Sequence, residues 1–232
     1  MCIISTHMVA IENLHSSIDV LHLEQQAEQV LEQGRRLVKF GIAVIVLDDT
    51  DRMLVLEHEA RDNEFQQGAL GASMETYRYI SGTISTAESP MQAWQRSLKE
   101  ELGLDEDGFT DAGLFIAEDS VFNTGEFIFG KDSAGFENFA VCNGLIVRTS
   151  NPGAFLGLGR TEEILRADFI KIDELLRTNS SELRPGFKGW LEFMLVSFDG
   201  LKSKKPLIHI EPIPLPLTGR DIRFDHIKDR NN

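Results

Sequence analysis

The sequence predicts an α/β domain in which a mixed sheet is covered by helices. Two apolar, β-branched runs flank a turn at residues 48–51, and amphipathic helical segments lie before and after them. Further apolar runs follow at residues 112–119 and 136–150. Strands interspersed with helices are typical of layered α/β domains. With 232 residues, of which 42% are hydrophobic, the chain can bury a full core as one domain with additions or as two small ones.

The charge of the chain restricts its partners. Lys and Arg number 23 against 37 Asp and Glu, which gives a formal net charge of −14. Such a chain is repelled by nucleic acid and by anionic membranes unless a basic patch overrides the net field. We therefore expect neither a nucleic-acid partner nor a membrane partner.

The cysteines and the hydropathy pattern predict a cytoplasmic protein. Cys2 and Cys142 are too few and too far apart for a disulfide framework or a zinc cluster, so a reducing compartment is expected. The first fifteen residues carry no basic segment followed by a long apolar one, which argues against a secretory signal. The longest apolar run, at residues 42–47, is far too short to span a bilayer.

The elements are predicted in chain order from hydrophobic periodicity. Residues 17–36 place apolar side chains at helical spacing and predict an amphipathic helix for packing or dimerisation. The turn-rich DDTD between two apolar runs predicts a hairpin, and IAVIVL is typical of a strand covered on both faces. The later segments are predicted as follows: loop 63–72, strand 74–84, strand 112–119, loop or hairpin 120–135, strand 136–150, loop 151–163, strand 168–172, helices from 173 and from 185, and an extended proline-containing tail at 206–217.

The stretch GTISTAESPMQAWQRSLKEELGL, at residues 82–104, contains a well-marked helix. Ser89 is a good N-cap, Pro90 suits the first helical position, and Gly103 is placed to end the helix. The predicted buried stripe consists of Ala93, Trp94, Leu98 and Leu102.

Glu100 and Glu101 follow on the last turn of this helix, near Ser97. Two carboxylates there would suit a hard cation such as Mg²⁺ or Mn²⁺. The alternative is an ordinary solvated helix face, in which Arg96 and Glu100 form only an i,i+4 pair.

The complete spacing resembles the Nudix box. Gly82, five residues, Glu88, seven residues and then Arg96 through Leu104 follow the pattern Gly-x5-Glu-x7-Arg-Glu-apolar-x-Glu-Glu-x-Gly-apolar, with Ser97 as the one departure. The resemblance covers residues 38–178 and implies a Nudix-type α/β/α sandwich with a mixed β-sheet. Residues 1–37 then form an N-terminal helical extension, and residues 179–232 form a C-terminal helix and a proline-containing tail.

What the resemblance implies is a metal-dependent pyrophosphohydrolase. Its substrate would be a nucleoside diphosphate linked to another moiety, such as a nucleotide sugar or an ADP-ribose-like compound. By this resemblance Glu100, Glu101 and the Gly82 carbonyl would bind Mg²⁺ (or Mn²⁺), and Glu88 and Arg96 would brace the loop and the helix. A bound cation would also allow so acidic a protein to hold a pyrophosphate.

Ser97 stands where the family has a glutamate that ligates metal or acts as a base. In one interpretation other acids compensate: Glu162 or Glu163 as the base, and Glu137 or Glu126 as a further metal ligand. In the other, the domain has lost catalysis and binds a nucleotide-like ligand as a sensor or binding module. The flanking helices are candidates for a homodimer interface.

Overall fold

The computed structural model describes residues 7–8, 14–60, 67–80, 86–156, 161, 163–197, 206–216 and 219–224. The strands are β1 His7–Met8, β2 Ile18–Asp19, β3 Arg35–Leu47, β4 Arg52–His58, β5 Ala69–Gly71, β6 Ser73–Thr76, β7 Thr86–Ala87, β8 Leu114–Lys131, β9 Glu137–Thr149, β10 Ile164–Lys171 and β11 Ile208–His209. The helices are α1 Val20–Leu31, α2 Pro90–Leu102, α3 Glu106–Asp111, α4 Gly153–Leu156, α5 Ile172–Arg177 and α6 Phe187–Ser197.

A mixed sheet occupies the centre of the described chain. Its main path is β1-β8-β9-β3-β4-β10, and β5, β6 and β11 join it beside β4, β3 and β8. The neighbours β3 and β9 run parallel, whereas β8 with β9 and β4 with β10 run antiparallel. The predicted mixed α/β architecture is therefore confirmed.

The hairpin of β3 and β4 opens into a wedge directly after its turn. The two strands pair with each other at Leu47 and Met53, beyond which β6 pairs with β3 and β5 pairs with β4. In this register Ser73 lies opposite Val44. Directly opposed residues of an antiparallel pair share a face. Residues 69–76 thus fill the wedge and present polar side chains on the face where Val44 is buried.

Helices cover both faces of the sheet. On one face α1, α2 and α3 contribute side chains such as Leu23, Trp94 and Phe109 to a core that also includes Val44. On the other face α5 and α6 contribute Leu175 and Trp190, among others, to a second core. This α/β/α sandwich is the arrangement that the resemblance to the Nudix box implied.

The terminal segments contribute to the first core as well. Val20 and Leu23 of α1 pack in it, and so do Ile222 and Phe224 near the other end of the described chain. We call the described residues 206–216 and 219–224 the C-terminal arm. Its backbone pairs with β8 through β11, and Ile222 and Phe224 are 0% and 1% exposed. The proline-containing tail is extended, as predicted, and packs as an arm.

Three loop predictions need correction. The predicted loop 63–72 contains strand β5, which pairs with β4. Residues 120–131 belong to the long strand β8, so of the two alternatives for 120–135 the hairpin is correct and the loop is wrong. The predicted loop 151–163 contains the short helix α4. None of the described helices is long and apolar enough to cross a membrane.

Candidate functional site

Helix α2 has the ends that its sequence predicts. The Ser89 side chain accepts a hydrogen bond from the Gln92 backbone N–H at 3.2 Å, and the Gln92 side chain accepts one from the Ser89 N–H at 3.0 Å. This capping box satisfies two backbone donors that an uncapped helix start would leave free. Gly103 ends the helix at φ 72°, a left-handed conformation that glycine adopts without a steric penalty. The four residues of the predicted stripe are all buried.

The two adjacent acids at the end of α2 point to different surroundings. Glu101 faces the sheet and is 5% exposed, whereas the Glu100 side chain is 42% exposed. Ser97, one turn before Glu101, is 0% exposed. Both acids lie on the last turn, as predicted, but Glu100 is exposed while Glu101 lies against strand β6.

Two serine hydroxyls hold the Glu101 carboxyl group. Ser97 Oγ donates to Glu101 Oε2 at 2.8 Å, and Ser73 Oγ donates to the same oxygen at 3.1 Å. The two hydroxyl oxygens lie 3.0 Å apart. Among the described residues the other oxygen, Oε1, accepts no hydrogen bond. Ser97 thus positions Glu101 instead of supplying a carboxylate of its own.

The buried position of Glu101 makes its ionisation unfavourable. Burial, together with the negative charge of Glu75, raises the pKa of Glu101 to about 8, although hydrogen bonds from Ser97 and Ser73 oppose this shift. The Arg184 charge also favours the ionised form. Without a bound cation the carboxyl group is therefore protonated near neutral pH.

Arg96 and Glu88 form a buried bidentate ion pair. Arg96 Nε donates to Glu88 Oε1 at 2.8 Å, and Arg96 Nη2 donates to Glu88 Oε2 at 2.9 Å and to the Thr76 carbonyl at 2.8 Å. Arg96 is 7% exposed and Glu88 is 1% exposed. Burial opposes the charge of Arg96, but hydrogen bonding to Glu88 and the charges of the surrounding acids outweigh it and raise the pKa of Arg96. The pair fixes α2 against β6 and against the segment before the helix.

Glu100 lies between two guanidinium groups. Arg96 Nη1 donates to Glu100 Oε2 at 3.1 Å, and Arg78 Nη1 donates to Glu100 Oε1 at 2.7 Å. Arg78 Nε in turn donates to Asp221 Oδ1, in the C-terminal arm, at 3.1 Å. Both oxygens of Glu100 are therefore engaged by arginines, and the second arginine is shared with the arm.

The donor set has the chemistry of a hard-cation site. Glu75 on β6 contacts Arg96 Nη1 at 3.0 Å, and burial raises the pKa of Glu75 as it does that of Glu101. These two carboxyl groups, Glu101 buried and Glu75 partly buried, have raised pKa values, and a divalent cation would help to ionise them. Within the described residues no three His, Cys, Asp or Glu side chains cluster closely enough to hold a metal ion. Glu100 and Glu101 thus fit Mg²⁺ or Mn²⁺ in donor type, and a complete site needs ligands in addition to them.

Of the remaining predicted site residues, some lie outside the described residues and others lie at different distances from the end of α2. Gly82, Glu162 and the side chain of Glu126 lie outside the described residues. The exposed Glu163 lies in the segment before β10, and its carbonyl accepts from the Glu59 N–H at 2.8 Å. That segment reaches the end of α2, because Thr161 Oγ1 donates to the Glu101 carbonyl at 3.1 Å.

Glu137 lies away from the others, at the opposite end of β3. Arg35 Nε donates to Glu137 Oε2 at 2.9 Å, and the two residues are register partners at the start of β3 and β9. Ser73, which contacts Glu101, is opposite Val44, nine positions along β3 from Arg35. That separation is about 30 Å at ~3.3 Å per residue. We therefore remove Glu137 from the candidate ligands.

Sequence reasoning missed four residues that surround the acids: Ser73, Glu75, Arg78 and Asp221. The signal for the first two is alternation, because polar residues at positions 73 and 75 of a strand share a face. Asp221 carries no such signal, since it is 143 positions from Arg78 in the chain.

Comparison with known proteins finds similarity among solved structures. No protein-family model and no curated protein matches the chain. A Nudix hydrolase from Nitrosomonas europaea is similar over 68% of this chain and 88% of its own, with 20% identity and a TM-score of 0.43. A C. elegans Ap4A hydrolase is similar over 68% and 92%, with 12% identity and a TM-score of 0.39. The Nudix domain of Shewanella oneidensis NrtR, solved with ADP ribose, is similar over 72% and 94%, with 13% identity and a TM-score of 0.39.

Two of these three solved structures are described as Nudix proteins. At TM-scores below 0.5 the similarity gives no correspondence between individual residues. The roles of the site residues rest on the contacts within this chain.

Proposed function

We propose that the chain is a divalent-cation-dependent hydrolase of the Nudix type, which cleaves a phosphoanhydride bond in a nucleoside diphosphate linked to another moiety. One observation carries the proposal. Arg96 and Glu88, which the resemblance to the box implies as bracing residues, make a buried bidentate ion pair that holds the acidic end of α2 against the sheet. The alternative, a solvated helix face with an i,i+4 pair of Arg96 and Glu100, gives no reason for a buried contact between positions 88 and 96.

In this proposal Glu100 and Glu101 hold Mg²⁺ or Mn²⁺ at the end of α2, with the Gly82 carbonyl as a further ligand. The cation would neutralise the pyrophosphate and the charge that develops as one phosphate leaves. Ser97 and Ser73 orient the Glu101 carboxylate by donating to one of its oxygens, which leaves the other available for the cation.

The base that activates water is proposed to come from the segment around Glu162 and Glu163. Serine is no base near neutral pH, so the acid missing at position 97 must be replaced from elsewhere. The hydrogen bond from Thr161 to the Glu101 carbonyl supports this assignment, because it anchors the start of the segment at the end of α2. The exposed Glu163 is the described acid of the two.

A second function is favoured by the surroundings of Glu101 and Glu100. Burial keeps Glu101 neutral without a cation, and Arg78 and Arg96 engage both oxygens of Glu100. A chain that keeps this arrangement would bind a nucleotide-like ligand as a sensor or binding module without hydrolysing it. Turnover separates the two functions.

The test is phosphate release, with a coupled phosphatase, from nucleotide sugars, ADP-ribose-like compounds, dinucleotides and nucleoside triphosphates. Each substrate is assayed with Mg²⁺, with Mn²⁺ and with a chelator. We expect turnover that requires the cation and that falls by at least about 100-fold in Glu101→Gln, in line with the loss of a group that acts on the transition state.

A matched control is Glu192→Gln, which neutralises an exposed acid on α6, on the other face of the sheet. This variant should keep full turnover. Binding of a nucleotide without turnover of any substrate would refute the hydrolase and support the sensor. Equal turnover in Glu101→Gln and the native chain would refute the site.

A further inference from the structure

The C-terminal arm reaches the candidate site through a shared arginine. Arg78 donates from Nη1 to Glu100 Oε1 at 2.7 Å and from Nε to Asp221 Oδ1 at 3.1 Å. The Arg78 and Asp221 side chains are 28% and 29% exposed, so the contact is partly shielded from water. One positive charge is therefore divided between an acid of the candidate site and an acid of the arm.

Buried neighbours and backbone hydrogen bonds fix the position of Asp221. The Ile222 N–H donates to the Tyr77 carbonyl at 2.8 Å, and the Phe224 N–H donates to the Val38 carbonyl at 3.1 Å. Ile222 and Phe224 are 0% and 1% exposed and belong to the first core. The arm thus presents the Asp221 carboxylate to Arg78 from a rigid support.

We propose that Asp221 is a positioning residue of the candidate cation site, which sets cation affinity by sharing the Arg78 guanidinium with Glu100. The inference rests on the proposed function, since it takes Glu100 and Glu101 as the cation ligands. With Asp221 present, Arg78 is held between two acids and competes less strongly with a cation for Glu100. Without Asp221, the whole charge of Arg78 acts on Glu100.

This role predicts effects of opposite sign for the two partners. Arg78→Gln removes the competing charge and should tighten the binding of Mn²⁺. Asp221→Asn leaves Arg78 to Glu100 alone and should weaken it. We expect a change of about three- to tenfold in each direction, the size that one unit charge near a partly exposed site produces. Damage to the fold would weaken binding in both variants.

The experiment measures the Kd of Mn²⁺ alone, from the electron paramagnetic resonance signal of the free ion, on the full chain. Circular dichroism and a thermal unfolding curve confirm that each variant is folded. Asp221→Glu keeps the charge and should restore a Kd near the native value.

Arg223→Gln is the matched control. Its Nη2 contacts the other oxygen of Asp221 at 3.2 Å, but the Arg223 side chain is 58% exposed and makes no contact with Glu100 among the described residues. We expect the Kd of this variant to stay within about twofold of the native value, because exposed ion pairs contribute little.

The outcomes separate this inference from the proposed function. If Glu101→Gln abolishes Mn²⁺ binding but Arg78→Gln binds Mn²⁺ no more tightly than the native chain, the role of Asp221 is refuted and the cation site is retained. No Mn²⁺ binding by the native chain overturns both. If Asp221→Asn does not fold, Asp221→Ser takes its place: weaker Mn²⁺ binding supports the inference, and unchanged or tighter binding refutes it.

Discussion

Neutralising Glu88 should destabilise the protein far more than neutralising a comparable surface acid. Glu88 is 1% exposed and takes two hydrogen bonds from Arg96, and its Oε2 also accepts from the Arg78 backbone N–H at 3.0 Å. Glu88→Gln leaves the Arg96 guanidinium buried without its bidentate partner. Breaking a buried ion pair in this way costs about 3–5 kcal/mol. We expect the lower end, because Glu75 and Glu100 still contact Arg96.

Urea unfolding in the presence of a chelator measures this loss. A change of about 3 kcal/mol lowers the midpoint by about 1 M or more when the urea dependence is ~2–3 kcal/mol per molar. Glu57→Gln is the control, since Glu57 pairs with Arg166 at 3.2 Å and the Arg166 side chain is 64% exposed. Such pairs contribute about 0–1 kcal/mol. Equal midpoints for the two variants would show that the Glu88–Arg96 pair does not hold α2 in place.

Three further outcomes follow from buried groups. Burial holds the folded-state pKa of Glu101 at about 8, above its unfolded value. In the presence of a chelator, the free energy of unfolding should therefore fall as pH rises from about 4.5 to 8. Urea unfolding of Glu101→Gln should show a flatter dependence on pH. Burial also raises the pKa of the Cys142 thiol to about 12. In a Cys2→Ser background, a thiol reagent at pH 8 should therefore label the protein only after unfolding. Rapid labelling of the folded protein would contradict the burial of Cys142. Ile222→Ala should lower the free energy of unfolding by about 2–5 kcal/mol in the same assay. Leu207→Ala, at a residue that is 46% exposed, should lower it by less than about 1 kcal/mol. No loss of stability in Ile222→Ala would mean that the arm does not pack in the core.

Local rules were sufficient for helix α2. Its caps, buried stripe and acidic end follow from residues within one or two turns of each other, whereas the bracing role of Glu88 and Arg96 was implied only by the resemblance to the Nudix box. The orientation of Glu101 did not follow, because its environment depends on Ser73, a residue brought opposite Val44 when β6 enters the wedge of the hairpin. Helical periodicity places Ser97 and Glu101 on one face but cannot say which strand residue meets them.

Long-range pairing explains the other misses. Glu137 was grouped with the site by its chemistry, and only the parallel register of β3 with β9 shows that it belongs to the far end of the sheet. Asp221 was overlooked because the proline-rich tail predicts extended backbone without predicting where that backbone packs. The boundaries at residues 37 and 178, drawn from the resemblance, remain predictions.

The hydrogen bond between Tyr77 and Ile222 has a consequence for the order of folding. The two residues are 145 positions apart, so strands β3 to β10 and the capped helix with its acidic end are synthesised before the arm that packs on them. Contacts of such long range form late and slowly, and until then the part of the first core that Ile222 and Phe224 complete is exposed to chaperones and to other nascent chains. A fragment that ends at residue 178 contains the whole box and should nevertheless aggregate. The motif is complete at residue 104, whereas the unit that folds extends to the arm.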